Sequence, residues 1–153
     1  MRVVIVGGVA GGMSAATRML RLDAEAEIIV LEKSGHVSYA NCGLPYFVGG
    51  IIEEEDALLL QTPASLHARF KLDVRVAAEV MSIDPTQKTI KTNNGDVAYE
   101  HLVLALGADQ IRIPCEGNAT EEILTVNDLE DYAKFRDAIT GQKKVAILGA
   151  GLI

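Results

Sequence analysis

The chain has no tryptophan, four tyrosines and three phenylalanines among its 153 residues, and its only cysteines are Cys42 and Cys115. The two cysteines lie far apart, with no C-x-x-C and no metal-ligand spacing. That excludes a thiol framework and, with three scattered histidines, leaves a zinc site nothing to stand on. A reducing, cytoplasmic compartment is the default for such cysteine usage, and a structural disulfide is not expected. Basic charge is also scarce: 14 Lys and Arg face 21 Asp and Glu, a formal charge of −7. Such a field repels phosphate backbones, so no nucleic-acid partner is expected. No apolar run reaches the length of a membrane span, and the first one is too short for the core of a secretory leader. With 49% apolar and 23% charged residues, the composition is that of an ordinary globular domain.

What the chain does have is concentrated at its start. Residues 3–6 form an uninterrupted apolar run, which reads as a parallel strand buried on both faces. Gly7-Gly8-Val9-Ala10-Gly11-Gly12 follows, then a helical pattern to about Leu22, then a second apolar run at residues 28–31, closed by Glu32. Small residues let the chain turn tightly and let backbone N–H groups approach a pyrophosphate at the positive end of the helix. An acid about 20 residues further on can accept hydrogen bonds from a ribose diol. The second glycine of the usual G-x-G-x-x-G pattern is replaced by Val9, so the motif rests on its strand–turn–helix–strand–acid context.

Along the first helix Ser14, Arg18 and Arg21 share one face, apart from the apolar residues that point to a sheet. Two guanidiniums on one stripe match the oxygens of a polyphosphate ligand; a solvated face is the plainer alternative. Cys42 sits at a loop-to-helix junction, where a thiol can become a reactive thiolate. A buried, inert cysteine is the other possibility.

Gly7–Gly12 as GGVAGG, Glu32-Lys33 and Ser38-Tyr39-Ala40-Asn41-Cys42-Gly43-Leu44-Pro45-Tyr46 together resemble the FAD-dependent pyridine nucleotide-disulfide oxidoreductases, in their coenzyme A-disulfide reductase and NADH oxidase branch. In that branch a bulkier residue also stands at the place of Val9. The resemblance implies a Rossmann-like FAD-binding domain of α/β class, a parallel sheet with an antiparallel β-meander. It implies FAD contacts from Gly7, Val9, Ala10, Gly11, Gly12, Glu32, Lys33, Val80, Ala105 and Gly107. It also implies that Cys42 alternates between thiolate and mixed disulfide, with Ser14, Arg18, Arg21, Ser38 and Asn41 holding coenzyme A. NAD(P)H would be the electron donor, a small disulfide or oxygen the acceptor, and the full-length protein a homodimer.

Downstream, 53–56 are four acids in a row, read as a solvated turn, and Thr62 caps a helix over 63–70 with Pro63 at its first position. Short strands are expected at 74–77, 79–83, 89–92 and 97–99, joined by turns at Asp84-Pro85 and Asn93-Asn94-Gly95-Asp96 into a meander. Residues 102–106 read as another buried strand ending at Gly107-Ala108, with Leu106 where the resembling family has Thr. Pro114, Gly117 and Asn118 mark a linker, and a helix is expected over 127–139 with a cap at Asn127 or Asp128. From about residue 100 onward the chain is more similar to rubredoxin reductases, in which no cysteine has this role. Cys115 matches no motif and reads as an ordinary small residue. Residues 145–148 read as a buried strand leading into Gly149-Ala150-Gly151, the opening of a second dinucleotide fingerprint. The expected organisation is a first FAD-domain part at 1–115 and, at 116–153, a linker helix with the incomplete start of an NAD(P)-binding domain. An electron-transfer flavoprotein without a redox cysteine, or an inactive nucleotide-binding fragment, are the competing expectations.

Overall fold

The computed structural model describes residues 1–118, 120–141 and 144–149. In chain order the elements are β1 (Arg2–Val6), α1 (Ala10–Leu22), β2 (Glu27–Leu31), α2 (Leu44–Val48), α3 (Pro63–Phe70), β3 (Asp73–Arg75), β4 (Val80–Asp84), β5 (Thr89–Thr92), β6 (Gly95–Ala98), β7 (His101–Leu104) and α4 (Leu129–Ile139). They fall into two compact units, Met1–Ala40 with Glu54–Ala108, and Asn41–Glu53 with Asp109–Ile153.

The first unit is built on a parallel sheet of order β3-β2-β1-β7. Because successive strand residues face opposite sides, β1 divides its apolar run between two cores. Val3 and Ile5, with Ile28 and Val30 of β2, meet Met13 and Ala16 of α1 and Leu66 of α3. Val4 and Val6, with Ile29 and Leu31, meet Ala78, Ile90 of β5 and Val97 of β6. Helices thus cover one face and the antiparallel sheet β4-β5-β6 covers the other, which is why both apolar runs are continuous rather than alternating. The expected α/β architecture of parallel sheet plus meander is present.

Local chemistry sets several boundaries. Thr62 and Ser65 form a reciprocal capping box at the start of α3, with Ser65 N–H donating to Thr62 Oγ1 at 3.2 Å and Thr62 N–H to Ser65 Oγ at 3.0 Å. Asn93 and Asn94 both donate their side-chain amides to the Ala77 carbonyl, at 3.1 and 3.0 Å, and so tie the β5–β6 turn to the chain entering β4.

Three expectations are corrected. The segment assigned to 74–77 forms instead β3 at Asp73–Arg75, and it joins the parallel sheet beside β2, not the meander. Its short apolar pattern is common to both kinds of strand, and the α3 crossover before it decides the pairing. The strand expected at 102–106 is β7, ending at Leu104; among the described residues it pairs with β1 alone, and Leu104 and Leu106 are exposed. A strand on a sheet edge is covered less than the interior strands beside it. Residues 145–148 form no paired strand, and Val145, Ile147 and Leu148 are exposed. A β-strand exists through its partner's backbone, and among the described residues nothing pairs there. Ala150 and Gly151 of the second fingerprint lie outside the described residues.

In the second unit α2 packs on α4. The rings of Phe47 and Tyr132 lie with centroids 4.2 Å apart, and both residues are buried. The Asp128 side chain caps α4, accepting from Asp131 N–H at 2.8 Å.

Candidate functional site

The sheet order places β1 between β2 and β7, so the chain moves outward in opposite directions from β1. In open parallel sheets the crevice outside the carboxyl ends of the strands at such a reversal is where ligands bind. Here Gly7 N–H donates to Leu31 O at 2.8 Å, Ala105 N–H to Val6 O at 2.8 Å, and Glu32 N–H to Arg75 O at 2.9 Å. The ends of four neighbouring strands are therefore in register around the glycine turn.

The turn's glycines are required for different reasons. Gly7 has φ +104°, and a Cβ there would lie 2.1 Å from Ala105 O. A Cβ on Gly12 would lie 1.8 Å from Gly7 O. Both make the turn itself possible. A Cβ on Gly11 would meet nothing closer than Ala105 Cβ at 3.8 Å, so its outer side is open. Val9, half-buried, precedes α1 with φ −100° and ψ −144°; Ala10 and Gly11 follow it exposed on the first turn. Among the described residues no side chain caps this helix and its first turn holds no acid, which leaves its N–H groups and positive end for an anion.

Glu32 is the charged residue buried in this unit, 7% exposed. Its Oε2 accepts from Gly8 N–H at 2.8 Å and its Oε1 from Ser34 N–H at 2.8 Å. The carboxylate is thus aimed at the glycine turn and held by backbone donors. Lys33 beside it is exposed. Val80 opens β4 opposite Thr92 and packs half-buried against the meander-side core. Ala105 is half-buried at the end of β7, and Gly107, φ +73°, is exposed beyond it.

Ser14, Arg18 and Arg21 are exposed along α1, and among the described residues neither arginine forms an ion pair. Ser38, with φ +51°, is brought to the glycine turn: its N–H donates to Gly8 O at 2.8 Å. Asn41 and Cys42 belong to the second unit, in a 310 turn, Asn41–Gly43, that leads directly into α2. Cys42 is a free, exposed thiol, which removes the alternative of a buried, inert cysteine; Cys115 is free and exposed as well. Among the described residues no group of three or more His, Cys, Asp or Glu could hold a metal, and no helix is long and apolar enough to cross a membrane.

Sequence reasoning missed Gly8 and Ser34, the two backbone donors that hold Glu32. The one signal was the glycine itself, directly after Gly7: a Cβ at Gly8 would lie 2.9 Å from Val37 Cγ1 and 3.1 Å from Glu32 Cβ, so a larger residue there would have to displace these side chains.

Known proteins resemble this chain in sequence and fold. The chain is 38% identical over 153 residues to the rubredoxin-NAD(+) reductase of Alcanivorax borkumensis, covering 99% of this chain and 39% of that protein. It is 34% identical over 160 residues to the coenzyme A disulfide reductase of Staphylococcus epidermidis, covering 99% of this chain and 36% of that one. The solved structure of reduced Bacillus anthracis CoADR-RHD superposes with a TM-score of 0.85 at 40% identity, over 93% of this chain and 27% of the other. The chain therefore spans little more than a third of the length of these curated relatives. The sequence model of one family matches residues 1–153 in full, and with the glycine turn, the buried acid and the two-faced sheet in place, the chain belongs to the pyridine nucleotide-disulphide oxidoreductase family.

Proposed function

We propose that this chain is the FAD-holding, N-terminal portion of a flavin-dependent NAD(P)H oxidoreductase that delivers electrons to a disulfide such as coenzyme A disulfide, with Cys42 as the thiol that engages it. The observation that carries the reading is the Glu32 carboxylate, buried and hydrogen-bonded to Gly8 in the turn that opens α1. The residues fit the cofactor: Gly7 and Gly12 permit the tight turn, the outside of Gly11 is open, and the helix start has no cap of its own. In this reading Gly7, Val9, Ala10, Gly11 and Gly12 hold the pyrophosphate, Glu32 holds the ribose diol, and Lys33 and Val80 flank the adenosine end. Ala105 and Gly107 would contact the flavin part of the bound cofactor.

Bound FAD would supply the acceptance of hydride and the release of electrons, chemistry that side chains do not provide. The Cys42 thiolate attacks one sulfur of the disulfide; the S–S bond breaks, one thiolate leaves, and Cys42 carries the other half as a mixed disulfide. Two electrons originating in NAD(P)H cleave that bond, the second thiol departs with a proton, and Cys42 returns to thiolate. Ser14, Arg18, Arg21, Ser38 and Asn41 bind the coenzyme A half, the guanidiniums matching its phosphates. At full length the protein works as a homodimer. The test is Cys42→Ser in the full-length enzyme: coenzyme A disulfide turnover is expected to fall to background, and unchanged turnover defeats the reading.

A second reading is supported by the match to rubredoxin-NAD(+) reductase and by the character of the chain beyond residue 100. There the acceptor is a redox protein and Cys42 a bystander. Alkylation of Cys42 before and after NADH reduction separates the two, because a bystander thiol keeps the same rate. A purified protein without flavin colour would favour an inactive nucleotide-binding fragment over both.

A further inference from the structure

Cys42 lies in a 310 turn that passes directly into α2, a helix of five residues with no side-chain cap. So short a helix is not held by its own backbone hydrogen bonds. Packing must fix it. Its buried residues are Leu44 and Phe47, and the Phe47 ring meets Tyr132 with an interplanar angle of 32°. Tyr132 sits on a longer and separately anchored helix: α4 has its Asp128 cap, and the Arg136 guanidinium lies 5.8 Å from the centroid of the Tyr132 ring. Tyr132 is 7% exposed, while the next two residues, Ala133 and Lys134, are exposed.

We infer that Tyr132 is the positioning residue for Cys42. Its ring holds α2 through Phe47, and α2 in turn fixes the turn that carries the thiol. The inference rests on the reading of Cys42 given above, and it assigns to α4 a part in the chemistry of a residue far earlier in the chain.

Cys115, a second exposed thiol, supplies an internal reference. Alkylation of the protein with iodoacetamide, followed site by site by mass spectrometry, gives the ratio of the Cys42 and Cys115 rates. Tyr132→Ala is expected to shift that ratio about three- to tenfold, the factor an aromatic pair of ordinary strength sets on local opening. Tyr132→Phe, which keeps the ring, should leave it within about twofold. In the full-length holoenzyme Tyr132→Ala should lower kcat for the disulfide with KM for NAD(P)H unchanged, and Tyr132→Phe should restore it. Tyr132→Leu removes the ring while leaving a smaller gap than alanine, and it replaces the alanine variant if that one does not fold. An unchanged ratio, or equal acceleration of both thiols, overturns the inference. Unchanged turnover in Cys42→Ser would defeat the disulfide chemistry separately, since the alkylation ratio is read without turnover.

Discussion

The two compact units are held together by different means. The first has a sheet whose central strands, β1 and β2, are buried on both faces, against helices on one side and the meander on the other. The second has, among its described residues, a helix pair and short 310 turns, with Leu44, Phe47, Leu129 and Tyr132 as the buried side chains of its helices. Its apolar residues Ile111, Ile113, Val145, Ile147 and Leu148 are exposed. Order in the first unit comes from many long-range contacts that reinforce one another, whereas in the second, among the described residues, it rests on a small buried cluster around the Phe47–Tyr132 pair and on the Asp128 cap.

The sharpest test of that contrast compares two aliphatic truncations. Ile5→Ala, at a fully buried site, should cost about 2–5 kcal/mol of unfolding free energy in urea. Leu148→Ala, at a site 72% exposed, should stay within about 0.5 kcal/mol. Similar losses from the two would erase the distinction. Glu32→Ala ranks next, because it strips the acceptor from Gly8 N–H in a buried place; a loss of about 1–3 kcal/mol is expected, with Glu32→Gln milder. Asp128→Ala should weaken α4 by about 1 kcal/mol. Hydrogen exchange should then quicken in the α4 amides and leave β1 protected; quickening in both would show that the units unfold as one.

The smallest effect concerns pH. The Glu100 carboxylate accepts from Arg2 N–H and lies 3.8 Å from the terminal ammonium, and the hydrogen bond first, then the charge, hold its pKa below the ordinary value. A depressed carboxylate contributes stability above its unfolded pKa and loses it as pH falls through the folded one. Glu100→Gln should therefore flatten slightly the acid limb of thermal unfolding, an effect kept small by full exposure. An unchanged acid limb would place the linkage elsewhere.

Much of the first unit was legible because its signals are local. The continuous runs at 3–6 and 28–31 required two covered faces, the glycines required a turn, and Thr62-Pro63 marked the start of α3 correctly. What was not legible depended on partners distant in sequence. Val74 could not announce whether its strand would join the parallel sheet or the meander, and Leu104 could not announce that β7, among the described residues, would have a neighbour on one side only. The place of Glu32 at the end of the second strand was legible as a spacing, but the donors that orient its carboxylate belong to the backbone and carry no letter of their own. The exposed state of Cys42 was equally hidden, since Gly-Leu-Pro after a polar stretch suits a covered or an open thiol.

The glycines of the first turn divide the work of inheritance. Gly7 and Gly12 are fixed by the chain's own atoms, so drift at either position removes the scaffold. Gly11 is under no such constraint, since a methyl group there touches only Ala105. A lineage could therefore acquire alanine at position 11 and still fold, whereas the same change at position 7 or 12 would break the turn.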